Sequence, residues 1–241
     1  MNNNCIGIFD SGYGGLTILE KLKEVMPNEN YLYYADSKNC PYGDKDVDDL
    51  INITTNIVEY LIKNNAKIIV IACNTATVKC MKYLREKYKN INFIGTVPAI
   101  KVALDNNYQN TLVMATPGTI KSERTFELIN DNIRKNQKIY LEACPTLAEA
   151  IENKKWDNVD NIIYEIYNKY IDKNIDSIVL GCTHYPFATK YINKYFKDII
   201  CIDGSLGVSN YTKKVLSDNN LLTDRNYKGN IKIINSNDLG E

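Results

Sequence analysis

One pattern occurs twice in this chain, and it restricts the possible folds more than any other feature. Lys67-Ile68-Ile69-Val70-Ile71-Ala72 runs into Cys73-Asn74-Thr75, and Asp176-Ser177-Ile178-Val179-Leu180-Gly181 runs into Cys182-Thr183-His184. A short, unbroken apolar run reads as a strand buried on both faces of a parallel sheet, and ligands bind just beyond the carboxyl ends of such strands. The surroundings repeat as well. Residues 5–9 form a strand ending in Asp10-Ser11-Gly12, and a helix follows over Leu16–Val25. Val47, Leu50, Ile51, Ile57, Val58, Leu61 and Ile62 keep helical spacing ahead of the Cys73 strand. A helix through Met81 and Leu84 and a strand at 91–94 complete the set. The order then begins again, with a strand at 111–115 ending in Thr116-Pro117-Gly118-Thr119, a helix, a later helix over 159–170, the Cys182 strand and a strand at 199–202. Asp10 precedes Cys73 by 63 positions, and Thr116 precedes Cys182 by 66, which marks a duplication.

The expected fold is therefore α/β: two pseudo-symmetric lobes, each a parallel sheet flanked by helices, with the active site in the crevice between them. Residues 1–96 are expected to form the first lobe and 97–207 the second. The tail, 208–241, is amphipathic over 208–216 and is expected to join the first lobe. With 241 residues, 44% of them apolar, the chain has ample material for such a core. Basic and acidic residues balance at 29 each, which argues against a general nucleic-acid or membrane-surface binder. No run approaches the ~18 apolar residues of a membrane span. Met1-Asn2-Asn3-Asn4 lacks the charged and apolar regions of a signal peptide, so a cytoplasmic location is expected. Thiols stay reduced there, and seven cysteines without a C-x-x-C pair do not read as a disulfide framework.

Two thiols delivered to one cleft by matching strands suit a symmetric reaction, in which a proton moves on and off opposite faces of one carbon. A single base returns the proton to the side it came from, whereas inversion needs a base on one face and an acid on the other. Cysteine serves if it sits where negative charge is favoured, such as a strand end beside a helix N-terminus. Cys5, Cys80, Cys144 and Cys201 lack the matched context and read as small apolar core residues. His184 is the only histidine. Alternation along extended backbone would put it on the same side as Cys182, placed to relay a proton. A metal is not expected, because a zinc site needs three or four ligands and no second Cys/His cluster has the spacing. Asp10 precedes Ser11-Gly12-Tyr13-Gly14-Gly15, but Thr17 stands where a dinucleotide fingerprint requires its third glycine. Asp10 reads either as a helix cap or as a carboxylate serving Cys73 or a substrate ammonium. Asn74-Thr75, Thr116–Thr119 and Pro41-Tyr42-Gly43 offer hydroxyls, amides and backbone N–H groups, which bind carboxylates without permanent positive charge. Such donors suit a small dicarboxylate.

Five segments in order, Phe9-Asp10-Ser11-Gly12-Tyr13-Gly14-Gly15-Leu16-Thr17, Pro41-Tyr42-Gly43, Ala72-Cys73-Asn74-Thr75-Ala76-Thr77, Ala115-Thr116-Pro117-Gly118-Thr119 and Gly181-Cys182-Thr183-His184-Tyr185-Pro186, resemble the glutamate racemases. The resemblance runs from near the start to about residue 210. It implies a cofactor-independent enzyme, with no metal, that interconverts L- and D-glutamate and supplies D-glutamate for peptidoglycan. It implies that Cys73 takes the α-proton from D-glutamate and Cys182 from L-glutamate. Asp10 would assist Cys73, and Glu152 would support His184 beside Cys182. Ser11, Pro41, Tyr42, Gly43, Asn74, Thr75, Thr116, Thr119 and Thr183 match substrate-holding positions. The implied partner is a small molecule, with no nucleic acid or membrane, and the implied assembly is a homodimer. The chain departs from the family pattern in three places: Asn39 stands for an arginine, Ala35 precedes Asp36 where glycine is usual, and Glu149 replaces a proline. An aspartate racemase, or another proton-transferring member of the superfamily acting on a different amino acid, is the nearest alternative, although relatives of that kind commonly carry an acid at the position of His184. A non-catalytic amino-acid-binding protein on the same scaffold is the more distant one.

Overall fold

The computed structural model describes residues 4–238; residues 1–3, part of the stretch read for a signal peptide, and 239–241, the end of the tail, lie outside the described residues. The chain divides into two compact units, one running to Thr96 and resuming at Ser205, the other spanning Val97–Gly204.

In the first unit, β1 (Cys5–Asp10), α1 (Leu16–Val25), β2 (Tyr31–Ala35), α2 (Val47–Lys63), β3 (Ala66–Ile71), α3 (Asn74–Lys87) and β4 (Asn92–Gly95) alternate. The second unit contains α4 (Ile100–Asp105), β5 (Asn110–Ala115), α5 (Pro117–Ile120), α6 (Glu123–Asn130), β6 (Lys138–Ala143), α7 (Leu147–Glu152), α8 (Trp156–Tyr170), β7 (Ser177–Leu180), α9 (Thr189–Tyr195) and β8 (Ile200–Ile202). The tail returns to the first unit as α10 (Ser205–Asp218) and β9 (Ile231–Asn235).

Both sheets are parallel throughout. Their strand orders are β4-β3-β1-β2-β9 and β6-β5-β7-β8. Without β9, one order maps onto the other when β1, β2, β3 and β4 are matched to β5, β6, β7 and β8. The duplicated unit thus has four strands, one more than the sequence spacing indicates, because β2 and β6 each add a strand outside the cysteine-bearing pair. Two parallel sheets flanked by helices are the α/β architecture expected from the sequence.

The apolar runs are continuous because both faces of each central strand are covered. Side chains alternate across a strand, so Phe9, Ile69 and Ile71 enter one buried cluster with Leu50, Ile57 and Leu61 of α2 and Cys80 and Leu84 of α3. Their neighbours Ile6, Ile8, Ile68 and Val70 enter the other, with Ile18, Leu19 and Leu22 of α1 and Val208 and Leu216 of α10. In the second unit, Val113, Ala115 and Val179 pack with Ile100, Leu104 and Leu128. The carboxyl ends of β1, β3, β5 and β7 then carry the polar segments recognised in the sequence.

Candidate active site

The first cluster is built at the ends of β1, β2 and β3. Asp10 is the last residue of β1 and fully buried. Its Oδ2 accepts a hydrogen bond from Gly15 N–H at 2.8 Å, and its carbonyl accepts one from Asp36 N–H at 2.9 Å. The carboxylate therefore holds the glycine turn that begins α1. That turn leaves no room for a side chain: a Cβ on Gly15 would lie 2.8 Å from Tyr33 Oη and 2.9 Å from Asp10 Cβ.

Cys73 follows β3 and is the N-cap of α3, its Sγ accepting from Ala76 N–H at 3.5 Å. The dipole of this 14-residue helix supports negative charge at that position. Ser11 Oγ lies 3.9 Å from Cys73 Sγ, a long contact of the kind sulfur makes. Asn74 and Thr75 open α3 and are buried, and Asn74 Oδ1 is buried without a hydrogen-bond partner. Pro41 and Gly43 are half-buried, whereas Tyr42 is buried and donates its hydroxyl to Asp36 Oδ2 at 2.6 Å. Burial, and after it the Asp36 carboxylate, push the Tyr42 phenol well above its ordinary 10.0, with smaller contributions from Cys73 and Asp10.

The second cluster is built at the ends of β5, β6 and β7. Cys182 Sγ lies 3.9 Å from His184 Nδ1, and His184 Nε2 lies 2.6 Å from Glu152 Oε2. The imidazole is buried and the carboxylate nearly so, with 1% and 11% of their side chains exposed. A carboxylate that accepts the Nε2 proton leaves Nδ1 as the acceptor facing the thiol, the tautomer that can take a proton from sulfur. The route to this contact differs from the sequence expectation. His184 is not on extended backbone; it has helical φ and ψ (−76° and −28°) and caps the short 3₁₀ helix Tyr185–Ala188. The turn, rather than strand alternation, brings imidazole and thiol together.

Tyr185, fully buried, donates its hydroxyl to the Cys144 carbonyl at 3.2 Å and so ties this turn to the segment leading into α7, which ends at Glu152. Thr116 caps α5 by accepting from Thr119 N–H at 3.4 Å, and its hydroxyl also donates to Thr119 Oγ1 at 3.1 Å. Thr116, Thr119 and Thr183 are all buried. Every candidate residue thus lies in one of two strand-end clusters, Asp10, Ser11, Pro41–Gly43 and Cys73–Thr75 in one, Thr116, Thr119, Glu152 and Cys182–His184 in the other. Asp36 and Tyr185 carry no role in the sequence reading; Asp36 follows a strand that the apolar pattern does not reveal, and Tyr185 follows the single histidine directly.

Each duplicated four-strand unit carries a buried cysteine just beyond a central strand, Cys73 after β3 and Cys182 after β7, and in α/β proteins ligands bind at such strand ends. The sequence pattern of the Asp/Glu/Hydantoin racemase family matches residues 14–206, and the chain belongs to that family. It is an amino-acid racemase, an isomerase. Among its relatives, the glutamate racemase of Clostridium botulinum is 44% identical over 239 residues, 98% of this chain and 92% of that protein. The structure of a glutamate racemase isoform from Bacillus anthracis superposes with a TM-score of 0.85 at 29% identity, covering 98% of this chain and 90% of that one. The glutamate racemase of Francisella tularensis, solved in complex with D-glutamate, gives a TM-score of 0.83 at 32% identity, covering all of this chain and 90% of that one. Among the described residues, no helix is long and apolar enough to cross a membrane.

Proposed function

We propose that the protein interconverts L- and D-glutamate without a cofactor, by proton transfer between the substrate α-carbon and two cysteines. The observation that carries this reading is the pair of equivalent strand ends, each presenting a thiol with a different helper. Cys73, capping α3, takes the α-proton from D-glutamate, and Cys182 delivers a proton to the opposite face; the reverse reaction exchanges their roles. Asp10 serves the first thiol and fixes the turn beside it. On the other side His184 exchanges a proton with Cys182, and the Glu152 carboxylate stabilises the imidazolium formed.

Substrate binding is assigned to the neutral donors and acceptors around the thiols. The unpartnered Asn74 Oδ1 supports this reading, since a buried acceptor without a donor is costly and a substrate ammonium would satisfy it. Ser11, Thr75, Thr116, Thr119, Thr183 and the Pro41–Gly43 segment hold the two carboxylates. The names of the relatives support glutamate as the substrate. We assign the product to peptidoglycan synthesis in the cytoplasm and the working assembly to a homodimer. Purified protein given pure L-glutamate or pure L-aspartate, with no pyridoxal phosphate or metal added, tests the reading by polarimetry. Rapid loss of optical rotation with glutamate is expected. Preference for aspartate, or dependence on an added cofactor, would overturn it.

A further inference from the structure

We propose that Asp36 is a positioning residue for the Cys73 half of the reaction, acting through Tyr42. The inference rests on the two-thiol reading above and adds to it a residue that the sequence motifs leave without a role. Asp36 directly follows β2 and is only 2% exposed. It precedes the short 3₁₀ helix Ser37–Asn39, yet its side chain does not cap that helix. Instead the carboxylate accepts from Tyr42 Oη at 2.6 Å and from Asn39 Nδ2 at 3.0 and 3.1 Å. Both donors are neutral. A buried carboxylate held by a phenol and a carboxamide is expensive to keep, and what this one secures is the orientation of Tyr42.

That orientation matters because of where the ring sits. Tyr42 belongs to the same buried cluster as Phe9 and Cys73, and its phenol feels the charges of both Cys73 and Asp10. Its one hydroxyl proton is committed to Asp36, so the side chain acts as a buttress and not as a substrate donor. The half-buried Pro41 and Gly43 on either side of it are the parts of that segment left to face a ligand.

The other end of the clamp is fixed too. Asp36 N–H is bonded to the Asp10 carbonyl at 2.9 Å, Lys38 N–H donates to Ser236 Oγ at 2.9 Å, and Asn235 Nδ2 donates to Ser37 Oγ at 3.3 Å. The turn from 36 to 39 is thereby tied to the catalytic strand end on one side and to β9 on the other. Loss of the Asp36–Tyr42 bond should let the ring and the 41–43 segment move relative to Cys73.

The test uses Asp36→Asn, Tyr42→Phe and the double variant, with thermal unfolding measured alongside. Mirror-image substrates have equal free energies, so kcat/KM must fall equally in both directions, by roughly 10–100-fold for a lost hydrogen bond to a buried charge. The discriminating readout is the primary isotope effect with α-deuterated D- and L-glutamate. If proton transfer at Cys73 is the damaged step, the effect on the D-enantiomer rises relative to that on the L-enantiomer in both single variants. The double variant should be no worse than the poorer single one. An isotope-effect ratio equal to that of the unsubstituted protein, with or without a lower melting temperature, would overturn the inference, as would losses that multiply in the double variant. Should Asp36→Asn fail to fold, Tyr42→Phe removes only the hydroxyl and carries the same expectation and the same refutation. Cys73→Ala separates the two claims. If it still racemises, both the two-thiol reading and the role of Asp36 fall; if it is inactive while Asp36→Asn keeps the unsubstituted ratio, only the role of Asp36 falls.

Discussion

Replacing Glu152 by glutamine probes the Cys182 half of the reaction with little change of shape. The bond it alters is short, at 2.6 Å, and joins a side chain 11% exposed to one 1% exposed. A hydrogen bond to a charged group in such a setting contributes about 1.5–3 kcal/mol. If most of that is realised when His184 carries the proton, kcat/KM should fall roughly 10–150-fold. The fall must be equal from L and from D, because the equilibrium constant for mirror-image substrates is unity. The location of the damage appears in isotope effects: raising the barrier at Cys182 makes proton removal from L-glutamate more rate-limiting. The primary effect on α-deuterated L-glutamate should therefore rise and that on α-deuterated D-glutamate should fall. Coupled detection of each enantiomer under initial-rate conditions gives both values. A general loosening of the fold would reduce the rates and leave the two isotope effects unchanged. A rise on the D side, or no change on either, would refute the assignment of Glu152 and His184 to Cys182.

Other parts of the molecule yield sharp expectations. Lys67 Nζ and Glu29 Oε2 form an ion pair at 2.6 Å with side chains 7% and 2% exposed, and the same groups bond the Leu221 carbonyl and Thr223 N–H. Lys67→Met should cost about 3–5 kcal/mol in urea unfolding by stranding a buried carboxylate and should speed amide exchange at Thr223; a loss below about 1 kcal/mol would contradict this. Burial raises the Cys5, Cys80, Cys144 and Cys201 thiols above their ordinary 9.0, Cys201 to about 11. The folded state keeps these protons where the unfolded chain has released them, so their contribution is complete below pH 9.0 and is lost as pH rises through the folded values. Urea midpoints should accordingly fall between about pH 8.5 and 10.5, and rising midpoints would refute the sign. A Cβ on Gly181 would lie 2.9 Å from the Met114 carbonyl oxygen, which cannot swing away. Gly181→Ala should destabilise by about 1–3 kcal/mol and lower activity by displacing Cys182; unaltered kinetics would mean the strand end tolerates the shift.

The central strands are legible in the sequence because their chemistry is simple. β1, β3, β5 and β7 are buried on both faces, and an unbroken apolar run is what that burial selects. The strands that escape this pattern each do so for a physical reason. β2 contains three tyrosines, and two of them satisfy their hydroxyls on backbone carbonyls: Tyr31 on Leu22 and Met26, and Tyr33 on Gly12. These are tertiary partners that no local pattern reveals. β6 is a half-exposed edge strand beginning with Lys138, and β9 pairs with β2 across some 200 residues of sequence. At the site, the motifs locate the thiols and the polar strand ends. They cannot supply the turn geometry that joins His184 to Cys182, the reach of Glu152 from the end of α7, or the clamp of Asp36 on Tyr42. Those depend on how loops close over the strand ends, and loop closure is set by contacts distant in sequence.

The two-thiol mechanism is tested most directly by single-turnover racemisation of L-glutamate in heavy water, with product and residual substrate separated by chirality and weighed for α-deuterium. Cys73 and Cys182 on opposite faces of the α-carbon predict product that carries solvent deuterium almost completely, while unreacted L-glutamate stays protiated. Cys73→Ala and Cys182→Ala should each lose racemisation by several orders of magnitude, since positioned acid–base catalysis supplies ~10²–10⁴ per group and inversion needs both. Retention of the original proton in the product, or rapid racemisation by either variant, would mean that one base serves both faces and would contradict the account.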